Sequence, residues 1–154
     1  MRETAGMSSV EIETMRSVED DLWWYQALRT HVLGSIQPPR PAFDLLDAGC
    51  GTGGMLARVH ERFPRAALSG LDFSARAIEL TRLRETGATL VEGSVDALPF
   101  ADASFDVVLS LDVIIVGGVN ERRALAEMHR VLRRGGILIL NLPAFDFLRG
   151  SHDV

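Results

Sequence analysis

An open, doubly wound α/β sheet in three layers is the fold class this sequence predicts, and three observations carry it. Short, nearly continuous apolar runs recur along the chain at Phe43–Leu46, Ala66–Leu71, Thr89–Val91, Phe105–Leu109 and Ile137–Leu142. Segments of helical period separate them, and a glycine-rich turn follows the first run. Strands apolar on both faces are those of a parallel sheet covered by helices on either side.

In chain order, residues 1 to about 9 are expected as a loose tail. Residues 10–33 are expected as one helix, because Val18, Leu22, Tyr25, Leu28 and Val32 recur at spacings of three and four. Trp23 and Trp24 make that helix aromatic, and Gly34 followed by Pro38, Pro39 and Pro41 ends it. Tail and helix, residues 1–40, form an N-terminal unit ahead of a core at 41–154. Within the core, helices are expected at 53–62, 74–86 and 120–133. Ser74 is placed to cap the second and Gly87 to stop it. The third begins at Asn120, carries Leu125, Met128 and Leu132 on one face, and stops at Gly135–Gly136; Arg133 and Arg134 then complement its dipole.

Composition excludes several chemistries. The chain has 154 residues and a net charge of −5, and all 16 of its basic residues are Arg. Without Lys there is no Walker-type phosphate loop, Schiff-base enzyme or Ser–Lys dyad. The acidic balance argues against a nucleic-acid partner. A single Cys cannot form an internal disulfide. The polar, acidic N-terminus does not read as a secretory signal. The apolar stretch 107–119 is interrupted by Ser110 and Asp112, so no membrane span is expected. These features point to a cytoplasmic domain. No metal-ligand spacing is present, and His31, His60 and His129 are expected on helix surfaces.

Ligands of such sheets bind beyond the carboxyl ends of the strands, where strand order reverses. Asp47-Ala48-Gly49-Cys50-Gly51-Thr52-Gly53-Gly54 follows the first strand. Its glycine spacing also fits a dinucleotide fingerprint, which leaves a nicotinamide-dependent oxidoreductase as an alternative. Asp47 argues the other way, since a carboxylate before the turn repels a pyrophosphate and suits a ligand with an ammonium and a sulfonium. Asp72 ends the second strand about 20 positions beyond the loop, placed to accept from ribose hydroxyls, with Phe73 beside it for an adenine. After the third strand, Asp96 can accept from an adenine amino group, and the Ala97 N–H and Leu98 side chain can serve the ring. The fourth strand ends in Ser110-Leu111-Asp112, with Ser110 counted among the cofactor-facing residues. Together these carboxylates form an acidic rim that attracts a cationic cofactor.

With those residues in place, the chain resembles a class I S-adenosylmethionine-dependent methyltransferase of the small-molecule type. LLDAGCGTGG (45–54), LDFS (71–74), GSVDALPFADASFDVVLSLDVI (93–114) and MHRVLRRGGILILNLP (128–143) carry the resemblance. It implies a Rossmann-like sheet of order 3-2-1-4-5, with S-adenosylmethionine as cofactor and S-adenosylhomocysteine as product. It further implies that Asp47, Gly49, Cys50 and Gly51 hold the methionine part, Asp72 the ribose and Asp96 the adenine. The Trp23-Trp24-Tyr25 helix resembles the lid of related enzymes. Two departures stand out. Ile114-Ile115-Val116-Gly117-Gly118 occupies the place of a Glu-His pair, and the usual last two strands have no room before Val154.

Methyl transfer is an in-line displacement on an activated carbon, so alignment matters more than a particular side chain. Tyr25, Asp112 and His152 are the candidates for acid–base work. Cys50 is expected to act through its backbone. The acceptor is expected to be a small molecule. A truncated or non-catalytic cofactor-binding module is the further alternative. An exposed fifth strand implies a second copy or a partner chain along its edge.

Overall fold

The computed structural model describes residues 8–142. The elements run α1 (Ser9–Val18), α2 (Trp23–Ser35), β1 (Asp44–Ala48), α3 (Gly54–Arg62) and β2 (Ala67–Asp72). They continue with α4 (Ala75–Arg82), β3 (Thr89–Glu92), β4 (Phe105–Leu111), α5 (Glu121–Val131) and β5 (Leu132–Asn141). All four strand pairings are parallel, and the sheet order is β3-β2-β1-β4-β5. The expected topology is therefore the observed one. Among the described residues no strand pairs with the outer edge of β5.

Alternating side chains divide β1 and β4 between two cores. Leu45, Val107 and Leu109 pack with Val32 and Ile36 of the α2 region, Met55, Leu56 and Val59 of α3, and Ile78 of α4. Leu46, Ala48, Leu71 and Val108 face Ala124, Met128 and Val131 of α5, with Val95 and Leu98 from the loop after β3. Both faces are thus covered, which explains why the strands read as continuous apolar runs. Ser74 and Asn120 cap α4 and α5, their side chains accepting from Ala77 N and Arg123 N. Gly87 lies beyond the end of α4 with φ +70°.

Three expectations need correction. Residues 10–33 are two helices, broken at Glu19–Leu22. The Glu19 carbonyl, which a continuous helix would bond to Trp23 N–H, accepts instead from Arg29 Nη1 at 2.8 Å. The apolar spacing runs unbroken through that corner, so periodicity could not reveal it. Second, α5 ends at Val131, and Arg133 opens β5 rather than closing a helix. There it donates to Asp44 and Asp106 at 2.6 and 2.7 Å. The pairing of β4 with β5 shifts register between Phe105 and Val107, and Gly135 lies in that irregular stretch with φ +80°. Third, the inward face of α5 is Ala124, Met128 and Val131, while Leu125 is exposed.

Asp106 anchors the end of the sheet opposite the strands' carboxyl termini. One buried oxygen, Oδ2, accepts from Asp44 N, Arg40 Nη2 and Arg133 Nη1 at 2.9, 2.8 and 2.7 Å. Asp106→Asn is expected to cost about 1–2 kcal/mol, with the exposure of the arginines moderating the loss. The thermal midpoint should fall by several degrees in a calorimetric scan.

Candidate functional site

The glycine loop, residues 49–54, turns back on the end of β2. Gly49 N and Cys50 N both donate to Leu71 O, at 2.7 and 2.9 Å. Gly51 N donates to Asp72 Oδ2 at 2.9 Å, and Ser74 N donates to Asp72 Oδ1 at 2.9 Å. Asp72 therefore splices the loop to the start of α4. Gly49 has φ +96°, and a Cβ there would lie 2.2 Å from Val113 Cγ2. Only glycine supplies both that backbone and that closeness to the loop after β4. Helix α3 begins at Gly54 after Gly53, whose carbonyl accepts from Ala57 N at 3.0 Å but which has no side chain to cap the N–H groups of the first turn.

Asp47 and Ser110 stand at the switch point between β1 and β4. Both are buried, and Asp47 Oδ1 and Ser110 Oγ have no hydrogen-bond partner among the described residues. A buried unpaired carboxylate oxygen costs a few kcal/mol. This one lies at the carboxyl end of a central strand, beside the glycine loop.

Burial, and after it the Asp72 carboxylate, pushes the Asp47 carboxyl up to about 7. Asp72 is itself raised, chiefly by burial. A carboxyl whose folded pKa lies above the unfolded value of about 3.9 stabilises the fold fully only below that lower value. The contribution is lost as pH rises through 7. The ligand-free chain should thus lose thermal stability between about pH 4 and 7 and level off above, and Asp47→Asn should flatten that slope.

The remaining expected site residues divide. Phe73 is half exposed next to Asp72, open to a ligand. The Cys50 side chain is buried in the core, and burial, followed by Asp47 and Asp72, pushes its thiol far up. A thiolate nucleophile is thereby disfavoured. Asp96 is tied to its own loop, accepting from Ser94 Oγ at 2.7 Å and Asn120 N at 3.4 Å. Ala97 N donates to Ser94 O at 3.2 Å, so its N–H is already engaged. The Leu98 side chain, expected beside an adenine, lies instead in the core with Val95 and Met128. Glu127 accepts from Leu98 N, and Arg130 donates to the Leu98 and Phe100 carbonyls, so α5 clamps this loop.

Asp112 has φ +59° and accepts from Asn141 Nδ2 at 2.8 Å. Tyr25 is half buried, and its phenol is raised by burial, then by Glu19, with Asp112 adding to the shift against Arg29. At neutral pH it is a hydrogen-bond donor rather than a base. Trp23 and Trp24, expected on the lid, face solvent, their rings edge to face at 6.1 Å. His152 lies outside the described residues. His31, His60 and His129 are exposed, as expected. Among the described residues no group of three or more His, Cys, Asp or Glu could hold a metal ion. No described helix is long and apolar enough to cross a membrane.

Sequence reasoning missed a buried charged cluster beneath the N-terminal helices. Glu19 Oε2 accepts from Arg29 Nη2 at 2.7 Å, and Glu19 Oε1 accepts from Thr52 Oγ1 and Arg84 Nη2. The signal was present: Arg29 sits on the inward stripe of α2, in step with Tyr25, Val32 and Ile36.

A family profile described as a methyltransferase domain matches residues 46–140, from β1 to β5. This chain belongs to that family. The matched stretch contains the glycine loop, Asp47, Asp72 and Ser110, and the family is that of the class I, small-molecule S-adenosylmethionine-dependent methyltransferases. The methyltransferase domain is 35% identical over 109 residues to a malonyl-[acyl-carrier protein] O-methyltransferase of Herminiimonas arsenicoxydans, covering 71% of this chain and 40% of that one. It is 32% identical over 134 residues to a ubiquinone/menaquinone biosynthesis C-methyltransferase of Desulfotalea psychrophila, covering 86% and 52%. Among solved structures, a putative S-adenosyl-L-methionine-dependent methyltransferase from Methanococcus maripaludis shares the fold. Its TM-score is 0.73 at 19% identity, over 88% of this chain and 67% of that one. The chain spans about half the length, or less, of these two curated relatives.

Proposed function

We propose that the chain binds S-adenosylmethionine at the carboxyl end of β1, β2 and β4 and transfers its methyl group to a small molecule. The observation that carries this reading is the buried, unpaired Asp47 oxygen beside the glycine loop. An ammonium is the ligand group that oxygen suits, and a pyrophosphate is one it repels. Asp72, at the end of the next strand, keeps acceptor capacity on the oxygens that already hold Gly51 N and Ser74 N, and it is assigned to ribose hydroxyls. Phe73 is assigned to a face of the adenine, and Asp96 to its amino group.

A bound S-adenosylmethionine would supply an electrophilic methyl carbon on a sulfonium, with the neutral thioether as the leaving group. The protein's part is alignment and exclusion of water. Asp47 fixes the amino end, the glycine loop lets the backbone approach, and Val113, which packs against Gly49, closes the site from the β4 side. Tyr25 orients the acceptor by donating a hydrogen bond to it, and where the acceptor atom must lose a proton as the new bond forms, the Asp112 carboxylate takes that proton. The relatives act, by their names, on a malonyl-[acyl-carrier protein] and in ubiquinone/menaquinone biosynthesis. With Trp23, Trp24 and Ile115 nearby in sequence to the site residues, an apolar or aromatic acceptor is the class to screen first.

A thermal-shift panel tests the reading. S-adenosylhomocysteine should raise the midpoint by several degrees at a hundredfold excess over its dissociation constant, through about 2.7 kcal/mol of linkage. NAD and NADP should leave it unmoved. Stabilisation by a dinucleotide alone would overturn the assignment. Cofactor binding with no methyl transfer across an acceptor panel would support the non-catalytic alternative.

A further inference from the structure

The loop that receives the cofactor is held from two sides. On the inner side it hangs from Leu71 O and Asp72. On the outer side, Thr52 is bonded through both its hydroxyl and its carbonyl. Its Oγ1 donates to Glu19 Oε1, and its carbonyl accepts from Arg84 Nε at 2.8 Å. The same Glu19 takes Arg84 Nη2 and, through Oε2, Arg29 Nη2. Three separate segments converge on this one carboxylate of the α1–α2 corner: α2 through Arg29, the glycine loop through Thr52, and the residues after α4 through Arg84. Glu19, Arg29 and Thr52 are all buried.

The packing around the cluster is close. A Cβ on Gly54 would lie 1.9 Å from Arg29 Nη2 and 2.2 Å from Glu19 Oε2, so the first helical residue of α3 is kept bare where the cluster passes. Gly51, the residue before Thr52, touches α1 as well, a Cβ there lying 3.0 Å from Met15 Cε. The Gly51 carbonyl accepts from Thr81 Oγ1 at 2.8 Å. A buried ionic cluster is a poor device for net stability, since an apolar replacement of the same shape often does as well or better. Its distinguishing property is direction: each hydrogen bond fixes a position that apolar contacts leave free to slide.

We propose that Glu19, through Thr52, is a positioning residue for the cofactor: it couples the seating of the N-terminal helices to the backbone geometry of the glycine loop. This rests on the cofactor assignment above. With the carboxylate removed, the loop loses the Thr52 hydroxyl tether and Arg84 loses the partner that orients it, leaving the Arg84 and Thr81 bonds to the Thr52 and Gly51 carbonyls, and affinity for the methionine end falls while the sheet beneath stays folded. Arg29 and Arg84 belong to the same device. They orient the carboxylate and bring α2 and the end of α4 to it.

The test pairs affinity with stability in the full 154-residue chain. Dissociation constants for S-adenosylhomocysteine are measured by titration calorimetry, and midpoints by thermal scan, for Glu19→Gln, Thr52→Val, Thr52→Ser and Asp106→Asn. Asp106 lies at the far end of the strands and serves as the structural control. Thr52→Ser keeps the hydroxyl and should hold affinity within about twofold. Thr52→Val and Glu19→Gln should weaken it by about tenfold or more. Asp106→Asn should lower the midpoint and leave affinity within about twofold. If Glu19→Gln does not fold, the Thr52 pair decides, because Val and Thr have the same shape. Wild-type binding with Thr52→Val indistinguishable from Thr52→Ser overturns the positioning role alone. Absence of binding by the wild-type chain overturns the cofactor assignment and this inference together.

Discussion

Asp47→Asn will leave the chain folded and weaken S-adenosylhomocysteine binding by roughly 100-fold, or about 2.7 kcal/mol. The substitution keeps the shape of a side chain that is 2% exposed and replaces its carboxylate with a neutral amide. Among the described residues no cation compensates that charge, and burial has already pushed the carboxyl up to about 7. The neutral amide therefore costs the empty fold little and should raise its stability at pH 8. The bound state is different. An ammonium seated against Asp47 stabilises the carboxylate form and draws the group's pKa back down. Binding near pH 7 should accordingly release a fraction of a proton, read as a dependence of calorimetric enthalpy on the buffer's ionisation enthalpy. Asp47→Asn should lose affinity and that proton release together.

Gly49→Ala will unfold or severely weaken the domain, by roughly 2–4 kcal/mol. Two costs combine. The φ of +96° strains any L side chain, and the new methyl would lie 2.2, 2.9 and 3.0 Å from the Cγ2, Cγ1 and Cβ of Val113. Those contacts involve the whole branched side chain, so a rotation of Val113 cannot relieve them all. The double variant Gly49→Ala/Val113→Ala separates the two terms in chemical denaturation. Removing the Val113 methyls should recover the steric part and leave about 1 kcal/mol of backbone strain. Full recovery would show that the left-handed turn is not needed at Gly49. No recovery would show that the loop after β4 does not press on it.

Much of this architecture was legible because the physics that sets it is local. Caps at Ser74 and Asn120 are one-residue signals, and a run such as 105–109 can be apolar on both faces only between two helical layers. The placement of Asp47 and Asp72 was legible for a related reason: they sit one βα unit apart, and parallel strands bring their carboxyl ends to one rim. What escaped depends on partners distant in sequence. The corner at Glu19–Leu22 is made by an arginine ten residues on. Arg133 reads as a helix-end cation until Asp44 and Asp106, 89 and 27 residues away, are seen to accept from it. Leu98 reads as a ring contact until α5 is found clamping its backbone and turning its side chain inward. The Trp pair reads as a lid, and the break in the helix leaves it facing solvent.

The central claim is that the carboxyl end of β1 is a cation-binding position for the adenosyl cofactor. Titration calorimetry of the wild-type and Asp47→Asn chains with S-adenosylhomocysteine at pH 7 tests it most directly. The account predicts one ligand per wild-type chain with a dissociation constant in the micromolar range, and a roughly 100-fold weaker constant for the variant. No binding by the wild-type chain at millimolar ligand, or equal affinity in the two, would contradict it.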